Sequence, residues 1–80
     1  MDDSQIRDRI EALVAEEHKL WHDEAAGGSS AEDARRLAKV KVMLDELWDL
    51  LRQRRALRDA GQDPNAAELR DEQTVESYEQ

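Results

Sequence analysis

The run Gly27-Gly28-Ser29-Ser30 constrains this chain more than any other feature, because it separates two helical patterns that would otherwise read as one. Paired glycines are costly inside a helix and at ease in a tight connection. Before the break, from about Ser4 to Ala26, apolar residues fall at Ile6, Ile10, Leu13, Val14, Leu20 and Trp21. Their steps of three, four and seven are helical, and no strand alternation competes. After the break, Leu37, Val40, Leu44, Leu47 and Leu51 take successive a and d positions of a heptad repeat. Trp48 sits at e, and Met43, Leu50 and Leu57 sit at g. So short a link obliges the two helices to run antiparallel. The expected fold is all-α: an antiparallel hairpin over 1–61, with helices at about 4–26 and 31–60.

Terminal signals refine these limits. Asp3 or Ser4 suits the first N-cap, with acids early in the helix to meet its dipole. Ser29 with Glu32 has capping-box spacing, and Ser30 with Asp33 is a weaker version one residue on. Gly61 suits a C-cap, and Asp63-Pro64 ends the second helix. At 1.5 Å per residue the helices span roughly 34 and 45 Å, so Arg54 to Ala60 should overhang the start of the first. Residues 62–80 read as a partly ordered acidic tail. Asp63 before Pro64 suits a short helix over 64–70, and Leu69, Val75 and Tyr78 are its apolar docking points.

The apolar arc of the second helix covers g, a, d and e, which is wider than one neighbouring helix can bury. In an 80-residue chain that is 40% charged, leaving the rest of the arc wet would consume much of the folding free energy. The pattern therefore predicts a homodimer, two hairpins forming a four-helix bundle with coiled-coil-like packing. Leu37, Val40, Leu44, Leu47, Trp48 and Leu51, with Ile10, Leu13 and Trp21, are its packing and interface residues. The tryptophans are read as core side chains.

Cysteine is absent, which excludes disulfides, thiolate metal sites and cysteine nucleophiles and suits a reducing cytoplasm. No apolar run approaches the roughly 20 residues that span a bilayer, and the acidic opening Met1-Asp2-Asp3 does not resemble an export signal. Charge is laid out in blocks. Residues 1–33 hold ten acids and three bases, 34–58 three acids and eight bases, and 59–80 seven acids and one base. Internal complementarity explains the layout more simply than an acidic partner does.

Three clusters are candidate sites. Arg52, Arg54, Arg55 and Arg58 could grip phosphates, but they lack interleaved aromatics and a basic total. Clasping the acidic N-terminus (Asp2, Asp3, Asp8) and the acidic tail is their simpler role. Glu17 continues the a/d spacing of the first helix, so its carboxylate needs a partner. Lys41 lies at a similar height in the hairpin, and Arg54 or Arg55 could reach Glu17 from a second subunit. His18 and His22, spaced i, i+4, are weak metal candidates: Lys19 stands where a zincin pair has glutamate. No nucleophile context, phosphate loop or catalytic constellation is present, so no cofactor and no enzymatic activity are expected.

Glu16-Glu17-His18, the stretch Trp48-Asp49-Leu50-Leu51-Arg52-Gln53-Arg54-Arg55-Ala56, Ala60-Gly61-Gln62-Asp63-Pro64 and the ending Thr74 to Gln80 together resemble a family of short actinobacterial proteins, a domain of unknown function. The chain departs from that family at Asp71-Glu72, where members tend to carry prolines. The resemblance implies a bacterial, compact helical protein and supplies no activity. The expected function is a non-enzymatic, self-associating helical module that binds a protein partner. A nucleic-acid-associated protein acting through Arg52–Arg58 is the second reading, and a metal-binding bundle through His18 and His22 the third.

Overall fold

Asp2 and Gln5 start the first helix by exchanging hydrogen bonds. The Gln5 amide donates to Asp2 Oδ1 at 2.8 Å, and the Asp2 amide donates to Gln5 Oε1 at 2.9 Å. Asp2 is therefore the cap, not Asp3 or Ser4, which leaves the Asp3 carboxylate available for longer-range pairing. In the computed structural model, which describes residues 1–25, 27 and 30–68, helix α1 spans Asp3–Ala25 and helix α2 spans Ala31–Asp59. Ala26, the expected end of the first helix, lies outside the described residues.

The cap of α2 falls on the weaker of the two sequence candidates. Ser30 has extended backbone (φ −97°, ψ 171°) and its hydroxyl accepts from the Asp33 amide at 3.1 Å, while Asp33 Oδ2 accepts from the Ser30 amide at 3.5 Å. Ser29, of the pair Ser29–Glu32, lies outside the described residues. Because the helix begins at Ala31, Glu32 falls in its first turn, where its charge meets the dipole. At the far end the Gly61 amide donates to the Arg58 carbonyl (3.1 Å) and the Gln62 amide to the Leu57 carbonyl (2.8 Å). These two bonds form a Schellman motif, and its left-handed position is filled by Gly61 at φ +74°.

The helices pack antiparallel: Asp3 meets Arg54 and Arg58 at one end, and Glu16 meets Arg36 nearer the other. No strand occurs among the described residues. Ile6, Ile10 and Leu13 of α1 are buried against Val40, Leu44, Leu47 and Leu50 of α2, with Ile6 and Val40 fully enclosed. Each such side chain contributes roughly 1.5–3 kcal/mol on burial. The buried stripe is centred off the a/d seam. Leu50, at g, is buried, whereas Leu37 and Leu51, at a, are half-buried.

The reason is the segment after α2. Pro64–Ala66 forms one 3₁₀ turn, capped by Asp63 Oδ1 accepting from the Asn65 amide at 2.9 Å, and Ala67 then extends (φ −69°, ψ 142°) and packs on the core. The short helix expected over 64–70 is thus a single turn, because Ala67 leaves helical geometry. The docking expected of Leu69, Val75 and Tyr78 lies outside the described residues. The overhang is shorter than expected too, because Arg54 is buried under this segment and beside the start of α1. Among the described residues no helix is long and apolar enough to cross a membrane.

Candidate functional site

Two features stand out on this frame: a polar clasp at the base of the hairpin and a tryptophan-bearing face. The clasp is built on Arg54, which keeps only 6% of its surface exposed. Its Nε donates to Asp3 Oδ1 at 2.5 Å, and its Nη1 reaches Asn65 Oδ1 at 3.0 Å and the Pro64 carbonyl at 3.3 Å. Arg58 Nη2 donates to the second Asp3 oxygen at 2.8 Å. Hydrogen bonds from Arg54 and then Arg58 hold the Asp3 carboxyl down at about 2. Beside it Gln53 Nε2 donates both to Asp49 Oδ2 (2.9 Å) and to the Glu68 carbonyl (2.7 Å). Asp49 is only 3% exposed, and Arg52 lies 3.9 Å from its other oxygen. The clasp joins the start of α1, the end of α2 and residues 63–68. Among the described residues no buried side-chain nitrogen or oxygen lacks a hydrogen-bond partner, so the clasp ties these three segments together.

The second feature corrects the reading of the tryptophans as core. Trp21 is 55% exposed and Trp48 47% exposed, because the hairpin core closes on the aliphatic residues between them. Lys41 Nζ sits 5.4 Å from the Trp21 ring centroid, a cation–π distance. Lys41 and Trp48 are seven residues apart on α2 and share one stripe, so both tryptophans belong to the same face. Next to them an open groove of about 210 Å³ is lined by Asp3, Arg7, Trp48, Leu51, Arg52, Arg55 and Arg58. The arginine cluster expected from sequence is therefore split. Arg54 and Arg58 are committed to Asp3, Arg52 lies towards Asp49, and Arg55 is exposed on the groove with Arg7.

Glu17 and Lys41 do not pair among the described residues: Glu17 is half-buried in α1, and Lys41 is turned to Trp21. At this end of the hairpin the neighbouring Glu16 pairs with Arg36 instead, through two guanidinium contacts, the second at 2.8 Å. Arg36 lowers the Glu16 carboxyl and is itself raised by it. His18 and His22 are both exposed, and no group of three candidate metal ligands occurs among the described residues.

Sequence reasoning missed Asp49, Gln53 and Asn65, whose partners are set by the return of residues 63–68. It missed Arg7 as well, although Arg7 follows Asp3 at an i, i+4 step that puts both on one side of α1.

Known proteins match this architecture in sequence. The family model described as Protein of unknown function (DUF2630) matches residues 2–80. An uncharacterized protein of Mycobacterium bovis and its counterparts in two strains of Mycobacterium tuberculosis are each 46% identical over 77 residues. The match covers 95% of this chain and 88% of each relative. No solved structure matches it. A match over nearly the whole length, spanning the hairpin and the segment that closes its base, makes this chain a member of the DUF2630 family.

Proposed function

We propose that this chain is a non-enzymatic helical interaction module that pairs with a second copy to form a four-helix bundle and then engages a protein partner. The observation that carries the reading is the exposure of Trp21 and Trp48 on one face of the hairpin, flanked by half-buried Leu37 and Leu51. Large aromatics left in water cost more than any other apolar side chains, and they anchor interfaces more often than they decorate open surfaces. A twofold arrangement covers them with the same face of a second hairpin. It also supplies what Glu17 lacks among the described residues, since Arg55 of a second copy stands exposed to meet it. A chain without cysteine suits a reducing compartment, and the proposal keeps it in the cytoplasm.

Sedimentation equilibrium of the full chain at micromolar concentration tests the pairing. The expected species has twice the 9.2 kDa chain mass, and Trp48→Ala shifts it towards monomer. Glu17→Arg and Arg55→Glu should each weaken the dimer, and the double variant should restore it. A monomer that stays folded on dilution sinks the reading.

One observation favours a second reading, a nucleic-acid-associated protein. Trp48 lies among Arg7, Arg52 and Arg55, an aromatic platform amid cations of the kind that stacks bases and neutralises phosphates. The net charge of −8 opposes it at long range. Binding to a labelled single strand that weakens steeply with salt and is lost in Trp48→Ala would favour this reading over the first.

A further inference from the structure

The outer face of α2 has a pattern that matches itself when the helix is turned end for end. Leu37, Leu44 and Leu51 form one stripe, and Ala34, Lys41, Trp48 and Arg55 form the stripe beside it. We propose that a second copy lies head to tail on this face, tip over base, about a twofold axis between Leu44 and Asp45. Trp21 and Leu37 of the second copy then fill the 210 Å³ groove whose lining includes Trp48, Leu51, Arg7 and Arg55. This inference rests on the pairing proposed above, and adds its orientation and the occupant of the groove.

Register carries the argument. Two like faces can be related by a twofold along the hairpin, which sets tip on tip, or by one across it, which sets tip on base. The crossing axis packs α2 on its own copy running the other way, and it inverts heights along the helix about one point. A point between Leu44 and Asp45 brings Lys41, which rests on Trp21, level with Trp48 of the second copy. One ammonium then lies among the rings of two exposed tryptophans. The same point brings Leu37 within one residue of the level of Leu51, and these are leucines that the hairpin leaves half-buried. The Glu16–Arg36 pair puts Glu17 near the level of Arg36, which the inversion carries to the turn between Arg52 and Arg55. Ala34 comes level with Arg55 of the second copy and has no side chain beyond its β-carbon to block the approach. The point is also the middle of α2, which spans Ala31–Asp59, so the two helices overlap along their full length.

Charge selects the same arrangement. Arg7 and Arg55 are exposed and have no carboxylate at ion-pair distance among the described residues. Tip on tip would crowd Arg7, Arg52 and Arg55 of both copies into one end, where like charges repel. Tip on base sets them against the end that carries Glu17 instead.

The chain has no cysteine, so a single nitroxide can report the orientation of the full chain. Glu32→Cys marks the tip and Gln62→Cys the base, both at exposed positions. In a head-to-tail dimer the two labels of the Glu32→Cys variant stand about 40 Å apart, from the helix rise on either side of the axis. The Gln62→Cys variant gives a similarly long distance, and mixing the two variants adds a short one from tip to base. Short distances within each variant and none across the mixture would overturn the orientation while leaving the pairing intact. No interchain distance in any sample would overturn the pairing, and this inference with it. The groove is tested by Trp21→Ala, which should weaken the dimer roughly tenfold, as loss of an interface anchor does. Trp21 and Arg55 lie at opposite ends of one chain and meet only across a head-to-tail interface. Their alanine variants should therefore weaken the dimer less than additively when combined. Strict additivity, or a dimer indifferent to Trp21→Ala, overturns the seat in the groove.

Discussion

The two ends of the hairpin are held by the same kinds of group in opposite surroundings. At the base, Arg54 is enclosed by Asp3, Asn65 and the Pro64 carbonyl, with Ile6 fully buried nearby. Towards the tip, the Glu16–Arg36 pair lies open, with 34% and 43% of the two side chains exposed, and Lys41 rests on an exposed Trp21. A broken contact at the tip is replaced by water, so it costs little. A broken contact at the base leaves a polar group with no replacement, so the loss is felt in full. The lesson is that the base carries the cooperative stability of the fold, and that the tip is the end that opens first.

Core truncation gives the largest expected contrast. Ile6→Ala at the base should cost about 3 kcal/mol in urea unfolding, whereas Leu20→Ala, at a half-buried position nearer the tip, should cost about half of that. Equal losses would break the comparison, because they would mean that both ends are equally well packed. The clasp comes next. Arg54→Ala should cost roughly 2 kcal/mol, since it strips part-buried hydrogen bonds from a charged partner and from two further acceptors. Arg36→Ala, which removes an exposed pair, should leave the unfolding midpoint nearly unchanged.

Gly61→Ala sharpens the point at a smaller scale. At φ +74° an alanine is strained by about 1 kcal/mol even though its methyl would meet nothing within 4 Å. Gly27→Ala carries the same local strain at φ +77°. The two should differ in reach rather than in size. Only Gly61→Ala should loosen the return turn, read as faster exchange of the Ala67 amide, which donates to the Pro64 carbonyl. Equal exchange at Ala67 in both variants would mean that the turn does not depend on its glycine.

The hairpin was legible from sequence because periodicity and the glycine break report a local geometry that each segment imposes on itself. Leu44, Leu47 and Val40 are buried where the heptad puts them. What was not legible depends on contacts between segments. Leu50 outranks Leu51 in burial because residues 63–67 cover the g side, and no spacing within α2 records that return. Arg54, at a d position, carried two expectations, clasping the acidic N-terminus and answering Glu17 of a second copy, and spacing alone did not choose between them. It clasps Asp3 of its own chain, 51 residues away, and Asp3 is the acid it meets because Asp2 takes the capping role. The capping box slid from Ser29 to Ser30 for a related reason: two adjacent serines with acids three residues on satisfy the same rule, and only the helix start decides. The tryptophans misled because apolar periodicity states which face a residue is on, not how far the core extends beneath it.

Acid gives the smallest effect, since it concerns one carboxylate. In the folded chain Asp3 is held at about 2, against about 3.9 for an unfolded aspartate. Between those values the unfolded state binds the proton and the folded state does not, so stability falls as pH falls. The contribution is complete above about pH 4 and is lost as pH approaches 2. Asp3→Asn removes this slope while keeping the size of the side chain. The gap between the unfolding midpoints of wild type and variant should therefore be constant near neutrality and shrink in acid. Glu16 is also held below its ordinary value, by Arg36, so Glu16→Gln tests the tip with the same sign. High salt separates the two. It should flatten the Glu16 difference, because that pair is open to counter-ions, and leave most of the Asp3 difference, because Arg54 is covered. If both differences collapse alike in salt, the base is as wet as the tip, and the contrast between the two ends does not hold.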